Sequence, residues 1–226
     1  MAIAFDAFSQ LDVGVGATTH TLSHTVTGTN TYLLVHVQTA ASGGADIVSG
    51  VTYNSVAMTR LDSINVESGG NQRIYFYYLT GTATGANNIV VTTSTNDTPS
   101  IRGSSFTGVA QASPHDVSGS AQATAGANLV LTVSVTATDC WLITGSRSRA
   151  TAFTNGTGTT IRTTVALNDV TADSNGTVST GSVSLTLVTG GSTLSGGIVA
   201  AIKPFVAVVQ KFSPSGGVAI GGVPLY

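Results

Sequence analysis

Cysteine occurs once in this chain, at Cys140, so no disulfide can close within it and a cysteine-built zinc site has no ligand set. Charge is nearly as scarce. Asp, Glu, Lys and Arg together make up 8% of residues, about a third of the usual share for a soluble domain. Glutamate occurs only as Glu67 and lysine only as Lys203 and Lys211. The net charge of −2 leaves no basic stripe to follow a phosphodiester backbone, so no nucleic-acid partner is expected. No apolar run approaches the roughly 20 residues that span a bilayer, so no membrane partner is expected either. No stretch keeps a helical period for three turns. The opening Met1-Ala2-Ile3-Ala4-Phe5-Asp6 lacks the basic and apolar regions of an export signal; with this as the native start, the protein is made in a host cytoplasm and stays off the general export route.

What remains is apolar and small-polar. Hydrophobic residues reach 42% and mean hydropathy is +0.32, ample for a core. The polar surface must then come from Thr, Ser, Asn and Gly, which protect poorly against association. Such a surface suits a chain covered by neighbours in an assembly. An extracellular β-protein with a Thr/Ser face has the same composition.

Residues 72–107 organise the rest. Arg73-Ile74-Tyr75-Phe76-Tyr77-Tyr78-Leu79 is the densest aromatic cluster in an aromatic-poor chain. A turn around Gly81 and Gly85, the run Asn88-Ile89-Val90-Val91-Thr92 and a third run over 101–109 follow. Short β-branched and aromatic runs favour pleated sheet, and the block predicts three successive antiparallel strands in the middle of a sandwich. Upstream, Tyr32-Leu33-Leu34-Val35-His36-Val37 reads as a central strand. Asn54-Ser55 predicts a tight hairpin between runs 47–53 and 56–61. Downstream, Leu131, Val133 and Val135 share one face of a strand, as do Val183, Leu185 and Leu187. A hairpin is expected around Asn155-Gly156-Thr157-Gly158, a polar loop over 168–175, and an apolar run over 194–202. The fold class that follows is all-β: a jelly-roll-like antiparallel β-sandwich with an extended C-terminal arm. Residues 1–205 form a single sandwich domain and 206–226 the arm, with no fixed-period repeat.

The arm carries Phe212, Val218, Ile220, Leu225 and Tyr226 among two Gly-Gly pairs and two prolines. A solvated tail would be more polar. These five side chains are the candidate interface, lying on a neighbouring subunit or on the sandwich edge. A final strand pair on the chain's own sheet is the alternative.

Residues for chemistry are thin. His36 reads as a core residue. His20 and His24, four apart on a strand, share a face but stand roughly 13 Å apart, too far for one metal. His115-Asp116 is the only adjacent His–carboxylate pair, and a turn-capping Asp explains it more simply. Most aspartates, among them Asp46, Asp62, Asp97, Asp169 and Asp173, stand beside turn signals with no Asp-x-Asp-x-Asp calcium ladder. No catalytic residue, cofactor or metal site is assigned. Tyr75 and Tyr77 are candidates for glycan stacking if their face of the aromatic strand is open; core or interface packing accounts for the same pattern.

Val51-Thr52-Tyr53-Asn54-Ser55-Val56-Ala57-Met58-Thr59, the aromatic strand, Gly85-Ala86-Asn87-Asn88-Ile89-Val90-Val91, Ser105-Phe106-Thr107-Gly108-Val109 and Ser113-Pro114 together resemble a jelly-roll domain of tailed-bacteriophage structural proteins and some bacterial surface proteins. Ser23-His24-Thr25-Val26-Thr27-Gly28 and Leu33-Leu34-Val35 resemble its first strands, and Gly-Gly-Val-Ala-Ile-Gly-Gly resembles C-terminal segments of phage proteins. Ser55 stands where that hairpin usually has Gly. The resemblance implies fold more than function and carries no catalytic residue. The absent export signal, the low charge, the apolar arm and the sandwich pattern lead instead to the expectation of a non-enzymatic virion protein, a head decoration (cement) protein or a tail component. That protein would be a homo-oligomer such as a trimer and would contact other virion proteins such as the major capsid protein. A carbohydrate-binding module or adhesin, using Tyr75 and Tyr77 or loops near Asn96 and Asn155, is the second reading. A hydrolase built on His115 and Asp116 is the third.

Overall fold

Alternating and continuous apolar runs become strands in the computed structural model, which describes residues 1–66, 70–190 and 193–207. The first half runs β1 (Ala4–Asp12), β2 (Ala17–Val26), β3 (Tyr32–Thr39), β4 (Val48–Tyr53), β5 (Val56–Ala57), β6 (Thr59–Asn65), β7 (Arg73–Thr80), β8 (Gly85–Asp97) and β9 (Ser100–Thr107). The second runs β10 (His115–Ala123), β11 (Leu129–Val135), β12 (Trp141–Ser148), β13 (Phe153–Asn155), β14 (Thr160–Ile161), β15 (Asp169–Asp173), β16 (Gly181–Thr189) and β17 (Ser195–Ile202). Between β3 and β4 lies a single 3₁₀ turn, Ser42–Gly44.

The strands pair antiparallel into four sheets, ordered β1-β9-β3-β7-β6, β2-β8-β4-β5, β10-β17-β12-β15-β14 and β11-β16-β13. The first two sheets enclose a core of Leu33, Val35, Tyr53, Tyr75, Ile89 and neighbours. The last two enclose Leu131, Leu142, Phe153, Leu185 and Val199 among others. A third core, with Tyr32, Leu34, Phe76, Phe106, Trp141 and Ile202, joins the two five-stranded sheets to each other. The molecule is therefore all-β, two jelly-roll sandwiches stacked in four layers. Residues 1–205, expected to hold one sandwich, hold two.

The halves repeat one plan. Replacing β1, β9, β3, β7 and β6 by β10, β17, β12, β15 and β14 reproduces the inner sheet, and β11, β16 and β13 reproduce β2, β8 and β4. The details repeat as well. A bulge in β1 between Phe5 and Ala7 has its counterpart in β10 between His115 and Val117. On each bulge an aspartate grips the residue after the next strand. Asp6 accepts from the Thr27 amide (3.0 Å) and hydroxyl, and Asp116 from the Thr136 amide (2.6 Å) and hydroxyl (2.7 Å). Aligned through these pairings, Tyr32 corresponds to Trp141, His36 to Gly145, Asn30 to Asp139 and Arg102 to Ile198. Equivalent sheets face each other, with β3 against β12, β9 against β15 and, reciprocally, β17 against β7. That reciprocity is an internal two-fold contact.

Several expectations change. Residues 72–107 do form three successive strands, but β7 and β9 flank β3 while β8 crosses to the outer sheet between them. The hairpin around Asn155 does not close, because β13 and β14 belong to different sheets. The polar loop over 168–175 contains β15, buried throughout. Asn54 and Ser55 both take positive φ (48° and 63°), the geometry of a type I′ hairpin, so Ser55 fills the usual Gly position. Of the expected arm, Val206 and Ala207 are exposed; Phe212, Val218, Ile220, Leu225 and Tyr226 lie outside the described residues.

Candidate functional site

The densest cluster of titratable groups sits in the seam between the sandwiches. β3 contributes His36, β9 contributes Arg102 and β15 contributes Asp169, all with no exposure. His36 Nε2 donates to Asp169 Oδ1 at 2.6 Å. Arg102 Nη2 lies 3.8 Å from Asp169 Oδ2 and donates to Asp12 Oδ1 at 2.7 Å. Its remaining donors reach the carbonyls of Asp169 (3.2 Å), Leu11 (3.3 Å) and Ile101 (3.2 Å). Burial pushes the Asp169 carboxyl up. The facing His36 ring, its hydrogen bond, and the Arg102 and Arg147 guanidiniums outweigh that and hold it below the usual carboxylate range. Beside them Ser104 and Thr171 share a 2.7 Å hydroxyl bond. At the rim, Arg162 forks onto buried Asp173 (2.6 and 2.8 Å) and lies 4.1 Å over the Phe5 ring of the other sandwich.

The positions equivalent to His36, Arg102, Asp169, Ser104 and Thr171 are Gly145, Ile198, Ile74, Ala200 and Phe76. One side of the internal axis is thus ionic and the other apolar. Gly145 meets its counterpart His36 on the axis, where a Cβ would overlap the imidazole ring. Two histidines could not share that place.

Chemically, this cluster holds rather than reacts. A general base must come within about 3 Å of a substrate proton, and His36 and Asp169 have no exposed atom. His36 Nδ1 has no hydrogen-bond partner and points at the Gly145 backbone. Among the described residues, no group of three or more His, Cys, Asp or Glu side chains is arranged to hold a metal.

The other sequence candidates separate. His115 bonds Tyr32 Oη at 2.8 Å while Asp116 turns to Thr136 and Ala137, so the two form no dyad. His20 and His24 do share the inner face of β2, where His20 Nε2 meets the Ala17 carbonyl and His24 Nδ1 meets Ser9 Oγ. Tyr75 and Tyr77 are not a sugar platform. They are 0% and 4% exposed, and both rings pack in the first sandwich's core. Tyr75 Oη is used inside, accepting from the Ile47 amide at 3.0 Å. A cleft does open beside Asn96, of about 440 Å³, but its walls are Ala, Ser, Ile, Thr and Asp with no aromatic ring to stack a sugar.

Sequence reasoning missed Arg102 and Asp169. Asp169 read as a loop residue because Asn168 and Asn175 bracket it. The available signal was the alternation Asp169-Val170-Thr171-Ala172-Asp173, which places polar groups on one face of a strand and apolar groups on the other.

What fold and cluster together define is a class, a tandem jelly-roll protein whose densest ionic cluster is locked in its own seam. No family model, no curated protein and no solved structure matches the chain.

Proposed function

We propose that the protein is a non-enzymatic virion structural component, a head decoration (cement) or tail protein of a tailed phage, acting as a homo-oligomer beside other virion proteins such as the major capsid protein. One observation supports this most. Strands β2, β4, β5, β11, β13 and β16 of the two outer sheets contain no Lys, Arg, Asp or Glu, and β8 adds only Asp97 at its end. Faces of Thr, Ser, Asn and Val allow many identical copies to crowd together without like-charge repulsion. The doubled sandwich gives each chain two such faces, on the outer sheets at opposite sides of the stack. Contacts weak one at a time then add when many copies engage. The buried tyrosines remove the main support for the glycan-binding reading.

Co-expression with particle proteins tests this. The full chain should co-purify with particles, and deletion of residues 212–226 should abolish incorporation while the circular-dichroism spectrum stays that of an intact β-protein. Normal incorporation of the deletion variant removes the arm from the proposal. A full chain that never joins particles removes the virion role.

A further inference from the structure

The two halves of the repeat differ at one turn. Where the first sandwich ends, Gly108 and Val109 lie down on the turn before β3: their amides donate to the carbonyls of Thr29 (3.2 Å) and Asn30 (2.9 Å). The Val109 side chain is fully buried. The corresponding turn of the second sandwich is Thr138-Asp139, and it keeps the same left-handed geometry, φ 50° at Asn30 and 59° at Asp139. The corresponding chain is Pro204-Phe205. Proline has no amide to donate, and Phe205 donates instead to Gly108 at 2.7 Å. The exit segment is thereby drawn away from the turn. Among the described residues nothing donates to the Thr138 or Asp139 carbonyls, and both residues are exposed. Beside Asp139 lies a cleft of about 390 Å³, walled by Ile3, Thr177, Phe205, Val206 and Ala207. Val206, 75% exposed, is one of the most open large apolar residues described.

The chain carries a segment of matching chemistry. Gly108-Val109-Ala110, which fills the first site, recurs as Gly217-Val218-Ala219. We infer that the cleft beside Asp139 receives Gly217-Val218-Ala219 of a second copy, whose backbone amides bond the Thr138 and Asp139 carbonyls while Val218 fills the apolar hollow. A second copy is favoured over the chain's own end because the sequence beyond Ala207, at the cleft wall, carries Val208, Val209 and Phe212, apolar side chains that gain burial when a segment passes between two copies. The inference rests on the assembly reading above and names its contact.

Cross-linking of the full chain tests it. A Thr138→Cys chain and an Ala219→Cys chain are co-expressed, purified together and treated with a short bismaleimide. Cys140, fully buried with its thiol pushed by burial to about 11, serves as an internal control in the unsubstituted protein. A product of twice the chain mass is expected, only from the mixture. Adding Val218→Asp should lower its yield about tenfold or more, the loss of one buried valine. In the double variant Thr138→Cys/Ala219→Cys, a product confined to single chains would show the cleft filled by its own end and overturn the exchange. No product in either preparation overturns the docking. Particle incorporation with no cross-link would sink this inference alone; a cross-link without incorporation would sink the virion role alone.

Discussion

His24 and His115 are each held neutral by their surroundings. Burial lowers the His24 ring to about 4 against the opposing pull of Asp6, and lowers His115 to about 4 with help from Lys203. Both values lie below the roughly 6.5 of an unfolded histidine. The unfolded chain therefore takes up more protons between those limits, and stability must fall as pH drops from about 6.5 towards about 4, by roughly 3 kcal/mol for each ring. Urea midpoints followed across that window should fall steeply in the wild type. His115→Gln, which can still meet Tyr32 Oη, should remove part of the fall. A midpoint that stays level on acidification would contradict the burial of both rings. Neither environment was legible in the sequence. His115 appeared to belong with Asp116, its chain neighbour, whereas its hydroxyl partner Tyr32 stands 83 positions away. His36 was recognisable as a core residue, but its partner Asp169 was hidden by flanking asparagines.

Strands were the most legible level. Leu129–Val135 alternates in burial at every position, as its sequence does, because only one face of β11 meets a core. β3 and β17 are buried at every position because their sheets are covered on both faces, and their continuous apolar runs reflect that. Pairing was less legible: nothing local says that β8 should leave the company of β7 and β9. The two aspartate-bearing bulges lie on edge strands, where a bulge and a charge both discourage pairing with a foreign strand. Asp116→Ala removes three hydrogen bonds, to Thr136 twice and to Ala137. About 1–3 kcal/mol of stability should go with them. Asp6→Ala removes the equivalent grip on Thr27 and a 2.7 Å bond from Ser105 Oγ, with a similar loss. Since the bulges belong to different sandwiches, the double variant should show the sum within about 0.5 kcal/mol. Strong non-additivity in denaturant titrations would mean that the two grips are coupled and not independent copies of one device.

At the scale of the whole molecule, the repeat escaped the sequence because the spacing drifts, from Ala4 and His115 at the first strands to Ser100 and Ser195 at the last. Equivalent positions also diverge where they face each other. A symmetric pair would set like residues together on the axis, and His36 opposite Gly145 shows the solution, one large ring accommodated by one missing side chain. The ionic half of the seam, His36, Arg102 and Asp169, then specifies a single way to stack the sandwiches, while Ile74, Ile198 and Phe76 supply burial on the other half. The joint effect can be measured with a double-mutant cycle. Gly145→Ala inserts a methyl group into the His36 ring and should cost about 1–3 kcal/mol in urea unfolding. In a His36→Ala background the ring is gone, and the same substitution should cost less by at least about 0.5 kcal/mol. An identical penalty in both backgrounds would show that the rings and backbones of the two sandwiches do not meet there, and the stacked arrangement would have to be abandoned.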